Sequence, residues 1–102
     1  MSSFREIVYE DKDICINCDY LFNKDKIVLH LDIENGKWSH SKYKELKGIF
    51  EILKERFKKE GYSEIYGVPT KDDDRAKKLI LMFGFEEICK SNGLIIMRIK
   101  IN

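Results

Sequence analysis

Two stretches of helical periodicity, each lying between stretches of strand periodicity, constrain the fold of this chain more than any other feature. From about Ser41 to Glu60, apolar residues recur every three or four positions, which is the spacing of an amphipathic helix. A shorter stretch after Pro69 repeats this pattern and ends at Gly84, a residue suited to a helix C-terminus. Because a helix between successive strands makes a crossover, we expect a mixed sheet with at least one parallel pair.

Runs of β-forming residues predict six strands around these two helices. Three strands precede the long helix, one lies between the helices and two follow the second helix. The predicted strands are Phe4 to Tyr9, Ile14 to Tyr20, Lys26 to Ile33, Ser63 to Val68, Phe85 to Lys90 and Leu94 to Ile101. The sequence therefore predicts one α/β domain of the α+β type over residues 1–102, with the element order β-β-β-α-β-α-β-β.

Composition and charge argue against several classes of function. Hydrophobic residues make up 43% of 102 residues, enough for one packed core, and 19 Lys and Arg balance 18 Asp and Glu. Nucleic-acid binding is a weaker alternative, since its basic candidates stand beside acidic residues: Lys71, Arg75, Lys77 and Lys78 against Asp72 to Asp74. Without an apolar run long enough to cross a bilayer, we expect no membrane partner and a cytoplasmic location.

The three cysteines form no recognisable disulfide pattern. Cys15 and Cys18 stand three positions apart in a predicted strand, so their side chains should point to opposite faces. Cys89 has no Cys or His neighbour at the spacing of metal ligands. We therefore expect structural thiols and a packed Cys89, with a metal or redox pair at Cys15 and Cys18 as the alternative.

The second half of the chain carries a family resemblance. The stretch GYSEIYGVPTKDDDRAKKLILMFGFEEICKS, which begins at Gly61, resembles the closing half of the GNAT N-acetyltransferase superfamily. There a strand is followed by an Asn-x-x-Ala helix that runs into Gly-Phe. Asp73 stands at the usual Asn position and Ala76 matches the Ala, while Gly84-Phe85 matches the Gly-Phe joint. The two helices that normally follow the family's first strand are missing, as in compact GNAT-like proteins of bacteriophages.

The resemblance implies that acetyl-CoA binds in a cleft where the third and fourth strands part. In the family, backbone amides of a glycine-containing motif at the start of the long helix hold the pyrophosphate. The corresponding segment here, Ser41 to Leu46, has no glycine, so lysines and hydroxyls would have to replace that motif; a solvated helix start is the alternative. The residues implied to bind the cofactor are Leu31, Asp32, Ile33, Lys37, Ser39, Ser41, Lys42, Lys44 and Asp73.

The resemblance also implies a base on the third strand and an acid on the second helix. His30, Asp32 and Glu34 share one predicted strand face in the region of the family's base, which makes His30 and Glu34 candidate catalytic residues. The alternative is a set of polar residues on a solvated sheet face. The family's usual acid, a Tyr that protonates the leaving thiolate, is replaced here by Ile80.

Two functions follow from this resemblance. The first is a small N-acyltransferase that moves acetyl from acetyl-CoA to an amine of a protein or small molecule. The second is a catalytically inactive binding module, such as a phage factor that binds a host protein, because both the glycine motif and the acidic Tyr are absent. The apolar final strand, Leu94 to Ile101, also predicts a homodimer if it forms a sheet edge.

Overall fold

The computed structural model describes residues 3–21, 26–34, 38–69 and 74–101. These residues form six strands and two helices: β1 (Ser3–Glu10), β2 (Ile14–Leu21), β3 (Lys26–Ile33), α1 (His40–Lys59), β4 (Glu64–Gly67), α2 (Asp74–Met82), β5 (Glu86–Ser91) and β6 (Leu94–Lys100). The strands form one mixed sheet in the order β1-β2-β3-β4-β6-β5. The predicted α+β class is confirmed, and the elements follow one another as the periodicity indicated.

The strand order decides which strands are edges. β3 and β4 pair in parallel, whereas β1–β2, β2–β3, β4–β6 and β5–β6 pair antiparallel. The edges are therefore β1 and β5, so the final strand does not form the free edge on which the expected homodimer depended. Its residues Ile95 and Met97 are buried in the core, and a position between β4 and β5 provides that burial.

Both helices lie on one face of the sheet. The buried residues of α1 are Leu46, Phe50, Leu53 and Phe57, and those of α2 are Ala76, Leu79 and Ile80. The rings of Phe50 and Phe83 stack with centroids 4.5 Å apart, which sets the two helices side by side. No helix among the described residues covers the other face of the sheet, which we call the open face.

Each helix ends at a glycine with positive φ, as predicted. Gly61 has φ 96° after α1 and Gly84 has φ 104° after α2, a conformation that glycine adopts at little cost. The amide of Phe85 then donates to the carbonyl of Ile80 at 3.3 Å and closes the second helix. The turn at Gly84 thereby directs Phe85, which is 3% exposed, into the core.

The cysteines occupy three different environments, and all are free thiols. Cys18 is buried in the core, where burial raises the pKa of its thiol to about 12, and Cys15 lies half-buried on the open face. Cys89 is exposed on β5, so the prediction that it packs is wrong; an edge strand at the end of the sheet gives it no cover. Neither described helix has the length and apolar character needed to cross a membrane.

Candidate functional site

The parallel strands β3 and β4 stay paired over three residues each and then part. The last pair is Leu29 with Gly67, where β4 ends while β3 continues to Ile33. Pro69 explains the divergence, because it has no N–H to donate to β3 and its carbonyl accepts from the amide of Ile95 in β6 at 3.4 Å. The chain after β4 is therefore drawn toward β6, and a cleft opens beside β3.

This cleft holds a cavity of about 220 Å³. Residues of β3, of the segment after β4 and of α2 line it: Leu29, His30, Leu31, Asp32, Val68, Pro69, Ala76 and Ile80. Alternation along β3 directs His30 and Asp32 to the open face and Leu29 and Leu31 to the helix face. Because residues of both faces line the cavity, it lies in the plane of the sheet, between the two faces.

Beyond Leu29, one edge of β3 has no strand partner among the described residues. β2 pairs with the other edge along the whole length of β3, from Lys26 to Ile33. The N–H and C=O groups of alternate strand residues point to the same edge, so about half of those from His30 to Ile33 face the cleft. These backbone groups can hydrogen-bond to an extended ligand in the way that an added strand would.

His30 lies at the fork where the strands part, and it has a carboxylate partner. Its Nε2 atom is 2.9 Å from Oδ2 of Asp19 on the neighbouring strand β2, and its side chain is 34% exposed. Arg5 of β1 binds the same carboxylate through two hydrogen bonds of 2.6 and 2.9 Å. Because a carboxylate only accepts hydrogen bonds, Nε2 carries a hydrogen, and Nδ1 of the neutral imidazole is left to take a proton.

The carboxylates beside His30 are held in place by polar partners. Hydrogen bonding from Arg5 holds the pKa of Asp19 below its ordinary value despite partial burial, and His30 adds to this effect. Asn17, which is 6% exposed, donates from Nδ2 to Oδ2 of Asp32 at 3.2 Å. Asp19 therefore stays ionised at neutral pH and orients the imidazole, as a histidine general base requires.

The other predicted catalytic residue, Glu34, lies beyond the end of β3 and is exposed. Its backbone amide donates to the carbonyl of Asp13 at 2.8 Å, so the β1–β2 turn fixes its position. It follows His30 by four positions of extended chain, which corresponds to roughly 13 Å. The two predicted catalytic residues therefore do not converge on one point.

The start of α1 carries several of the residues that the resemblance implied for the cofactor. Ser39 is the N-cap, and its Oγ accepts from the amide of Lys42 at 3.2 Å. Ser41 and Lys44 are exposed in the first turns. The first turn itself contains no acidic residue, so the carboxylates at the helix start come from another element, the β1–β2 turn.

Lys42 is bound to the β1–β2 turn. Its Nζ bonds to the carboxylate of Asp11 and lies 3.3 Å from that of Asp13, with 15% of the side chain exposed. The hydrogen bond to Asp11 raises the pKa of Lys42. Burial alone would raise the pKa of Asp11, but hydrogen bonds from Lys42, Tyr9 and two backbone amides lower it well below its ordinary range. Lys42 thus anchors the helix start to the sheet.

Of the residues predicted to bind a cofactor, the structure brings together those of β3. Leu31 and Asp32 line the cavity with His30, while Ile33 continues the strand beyond it. Lys37 and Asp73 lie outside the described residues.

Three polar residues that hold His30 and Asp32 through hydrogen bonds and ion pairs belong to no recognisable motif: Arg5, Asn17 and Asp19. Two of them leave a signal in the sequence, because Asn17 and Asp19 interrupt a mostly apolar strand at alternate positions. His30 and Asp32 alternate in the same way on β3. The polar residues of β2 and β3 become neighbours only in the register that sets Asn17 opposite His30. The structure has this register in the antiparallel pairing of β2 with β3.

Comparison with known proteins finds a likeness at the level of structure. No protein-family model and no curated protein matches this chain. A solved domain from Methanocaldococcus jannaschii DSM 2661 is similar to it, with a TM-score of 0.66 and 16% sequence identity over 88% of this chain and 57% of that chain. This chain thus spans little more than half of that chain, and at this identity the likeness shows the fold alone.

Proposed function

We propose that this chain is a small GNAT-like N-acyltransferase that moves acetyl from acetyl-CoA to an amine of a protein or small molecule. The observation that carries this proposal is the parting of β3 and β4, with His30 and Asp19 paired beside the gap. Each of these parallel strands is followed by a helix, so both helix N-termini lie near the end of the sheet where the gap opens. Helix N-termini favour anionic ligands, and acyl-CoA is one.

The two faces of the cleft suit the two substrates. On the helix face, Leu29, Leu31 and Ile80 form an apolar wall, and the free backbone groups of β3 suit the amides of the CoA chain. On the open face, the partly exposed His30 and its partner Asp19 lie where an amine can approach. In this arrangement the thioester carbonyl lies between the strands, and the amine reaches it from the open face.

The transfer requires that the amine lose a proton and that the sulfur gain one. Nδ1 of His30 takes the amine proton, while Asp19 stabilises the imidazolium that forms. The amine nitrogen bonds to the carbonyl carbon, and the carbon–sulfur bond breaks with its electron pair leaving on sulfur. The residues Asp74–Met82 of α2 include no hydroxyl, so water protonates the thiolate and His30 returns its proton to solvent.

A binding module without catalysis is the second candidate. Ile80, at the position of the family's acid, is 1% exposed and lines the cavity, which deprives the site of one catalytic group. Asp11 also engages Lys42, one of the cations expected to hold phosphate. Such a module keeps the fold to bind a partner, for example a host protein, and it has no use for acetyl-CoA.

Direct measurement of acetyl transfer tests the proposal. The protein is incubated with acetyl-CoA and a panel of lysine peptides and small polyamines, and acetylated amine and CoA are measured by mass spectrometry. A thiol reagent is unsuitable because Cys89 is exposed. We expect acetylated product and calorimetric binding of acetyl-CoA. The absence of both binding heat and acetylated product at millimolar acetyl-CoA would contradict the transferase. Specific capture of a partner protein in that case would favour the binding module.

The variant His30→Gln tests the role of the imidazole in catalysis independently of acetyl-CoA binding in the cleft. Glutamine can still hydrogen-bond to Asp19 but cannot take a proton, so we expect turnover roughly 100-fold lower with unchanged acetyl-CoA affinity. Lys58→Gln, which changes an exposed lysine in the last turn of α1 at the opposite end of the helix from the gap, is the control and should keep wild-type turnover. Wild-type turnover in His30→Gln would remove His30 from the mechanism.

A further inference from the structure

A groove between the two helices concentrates positive charge. It has a volume of about 550 Å³, and its lining residues are His40, Tyr43, Lys44 and Lys47 of α1 and Lys78 and Met82 of α2. None of the described residues that line it is acidic. The groove is separate from the cleft, because helix positions two apart point to nearly opposite sides, and Lys78 is two positions from both Ala76 and Ile80.

The groove lysines, Lys44, Lys47 and Lys78, form no ion pair with any residue that the structure describes. Lysines that do pair with carboxylates elsewhere are Lys42, Lys54 and Lys77. Three like charges around one groove repel one another, and a bound anion relieves that repulsion. The charge of the groove therefore favours a ligand with phosphate groups, which ammonium groups bind well.

Tyr43 gives the groove an aromatic wall. Nζ of Lys78 lies 5.9 Å from the centroid of the Tyr43 ring. Trp38 packs edge-on against the same ring, with centroids 5.4 Å apart, and holds it in place. Met82 adds a flexible apolar surface. A fixed ring beside ammonium groups suits a nucleobase that carries phosphates.

We infer that the groove between α1 and α2 binds a phosphorylated nucleotide, with its phosphate on the groove lysines and its base against Tyr43 and Met82. The nucleotide end of CoA and a free nucleotide share this chemistry. The site does not depend on the proposed acetyl transfer, because its residues are not those that line the cleft.

Tryptophan fluorescence reports on this groove, because Trp38 is the single tryptophan of the chain and contacts Tyr43. The intact protein is titrated at low salt with adenosine bisphosphate, the nucleotide end of CoA, and with inorganic pyrophosphate. We expect a saturable change with both probes, and affinity lower by at least about tenfold in the double variant Lys47→Gln/Lys78→Gln. Lys78→Arg, which keeps the charge, should restore most of the binding lost in Lys78→Gln.

Lys58→Gln is the matched control, because it removes one exposed lysine from the last turn of α1, away from the groove. It should bind both probes like the wild type, and thermal unfolding checks that every variant is folded. Equal affinities of the double variant and Lys58→Gln would overturn the inference. No saturable change in the wild type at millimolar probe would also overturn it.

Titration with CoA and with dephospho-CoA identifies the source of the nucleotide. A preference of about tenfold for CoA that the double variant loses would assign the groove to the cofactor's terminal phosphate. If CoA and dephospho-CoA bind equally, while adenosine bisphosphate binds more weakly to the double variant than to the wild type, the groove is a site for a separate nucleotide. If the protein transfers no acetyl group but still binds adenosine bisphosphate, the proposed reaction is contradicted and the nucleotide site in the groove is supported.

Discussion

The sheet is built differently on the two sides of the cleft. On one side, β1, β2 and β3 each have eight residues and form an antiparallel meander, with β2 buried along most of its length. On the other side, β4 has four residues, and all six residues of β5 are exposed. The first side is thus a scaffold with long pairings, while the second is a thin wall whose core residues come mainly from β6.

The helices repeat this contrast, beginning with α1 on the first side. Lys42 joins the start of α1 to Asp11 in the β1–β2 turn. Near the other end of the helix, Nη2 of Arg56 lies 2.8 Å from the carboxylate of Glu6 in β1. Ion pairs therefore hold α1 to the first two strands at both ends.

α2 is tied more weakly to the second side. The ion pair of Lys77 with Glu87 spans 3.7 Å, and both side chains are about one third exposed. His30 and Asp19 belong to the first side, so the proposed base is held on the firmer part of the molecule. The contrast leads us to expect that local unfolding begins on the second side, where burial and ion pairing are weaker.

The largest expected effect tests the core on the two sides. Ile16 of β2 is 1% exposed, so Ile16→Ala should lower the free energy of unfolding by roughly 2–5 kcal/mol through lost contacts and a cavity. Ile88 of β5 is 41% exposed, and Ile88→Ala should cost less than about 1 kcal/mol. Urea unfolding followed by circular dichroism measures both. Similar costs would contradict the division into scaffold and wall.

The next effect concerns the ion pairs that hold the helices to the sheet. Lys42→Met should cost roughly 1–3 kcal/mol at pH 7, because it leaves the partly buried carboxylate of Asp11 without its cation. The same change at Lys77, whose pair is long and more exposed, should cost less than about 0.5 kcal/mol. The midpoints of urea unfolding compare the two variants. A larger loss in Lys77→Met would reverse the contrast.

The stabilisation contributed by the ion pair of Lys42 with Asp11 should also depend on pH. The pKa of Asp11 is lower in the folded state, so its ion pair stabilises the fold in full above the unfolded-state pKa of about 3.9. As the pH falls below that value, this contribution is progressively lost. The cost of Lys42→Met should therefore be smaller at pH 3 than at pH 7. An equal cost at both pH values would show that packing, and not charge, holds the helix start.

The smallest effect compares the two glycines that end the helices. Both have positive φ, so alanine at either position should cost about 1 kcal/mol from backbone strain. At Gly84 an added Cβ would lie 3.2 Å from Cδ1 of Ile99, whereas at Gly61 nothing lies within 4 Å. Gly84→Ala should therefore cost a few tenths of a kcal/mol more in urea unfolding. A smaller cost at Gly84 would show that the thin wall yields to the methyl group.

Much of the fold could be predicted from the sequence, because periodicity and glycine placement are local properties. The apolar spacing of α1 and the stops at Gly61 and Gly84 needed no knowledge of distant residues. The exposure of Cys89 was missed and the interior position of the final strand was left open, because edges are set by the order of strands in space. That order depends on pairings between residues far apart in the chain.

The candidate site shows the same division. His30 could be identified as one of several polar residues on a strand, but its partner Asp19 depends on the register of β2 with β3. Lys42 has the appearance of a phosphate ligand in the sequence, yet a turn 31 residues earlier supplies the carboxylate that binds it. Patterns within one element cannot reveal such partners, since the distances arise only on folding.

The sequence by itself determined the kinds of elements, their order and the crossovers that make the sheet mixed, because these follow from the spacing of apolar residues and from Gly and Pro. Tertiary structure decided where β3 and β4 part, since the carbonyl of Pro69 finds its donor in Ile95 on another strand. It also gathered lysines of two helices around one groove. Cleft and groove both form between elements, where contacts distant in the chain set the geometry.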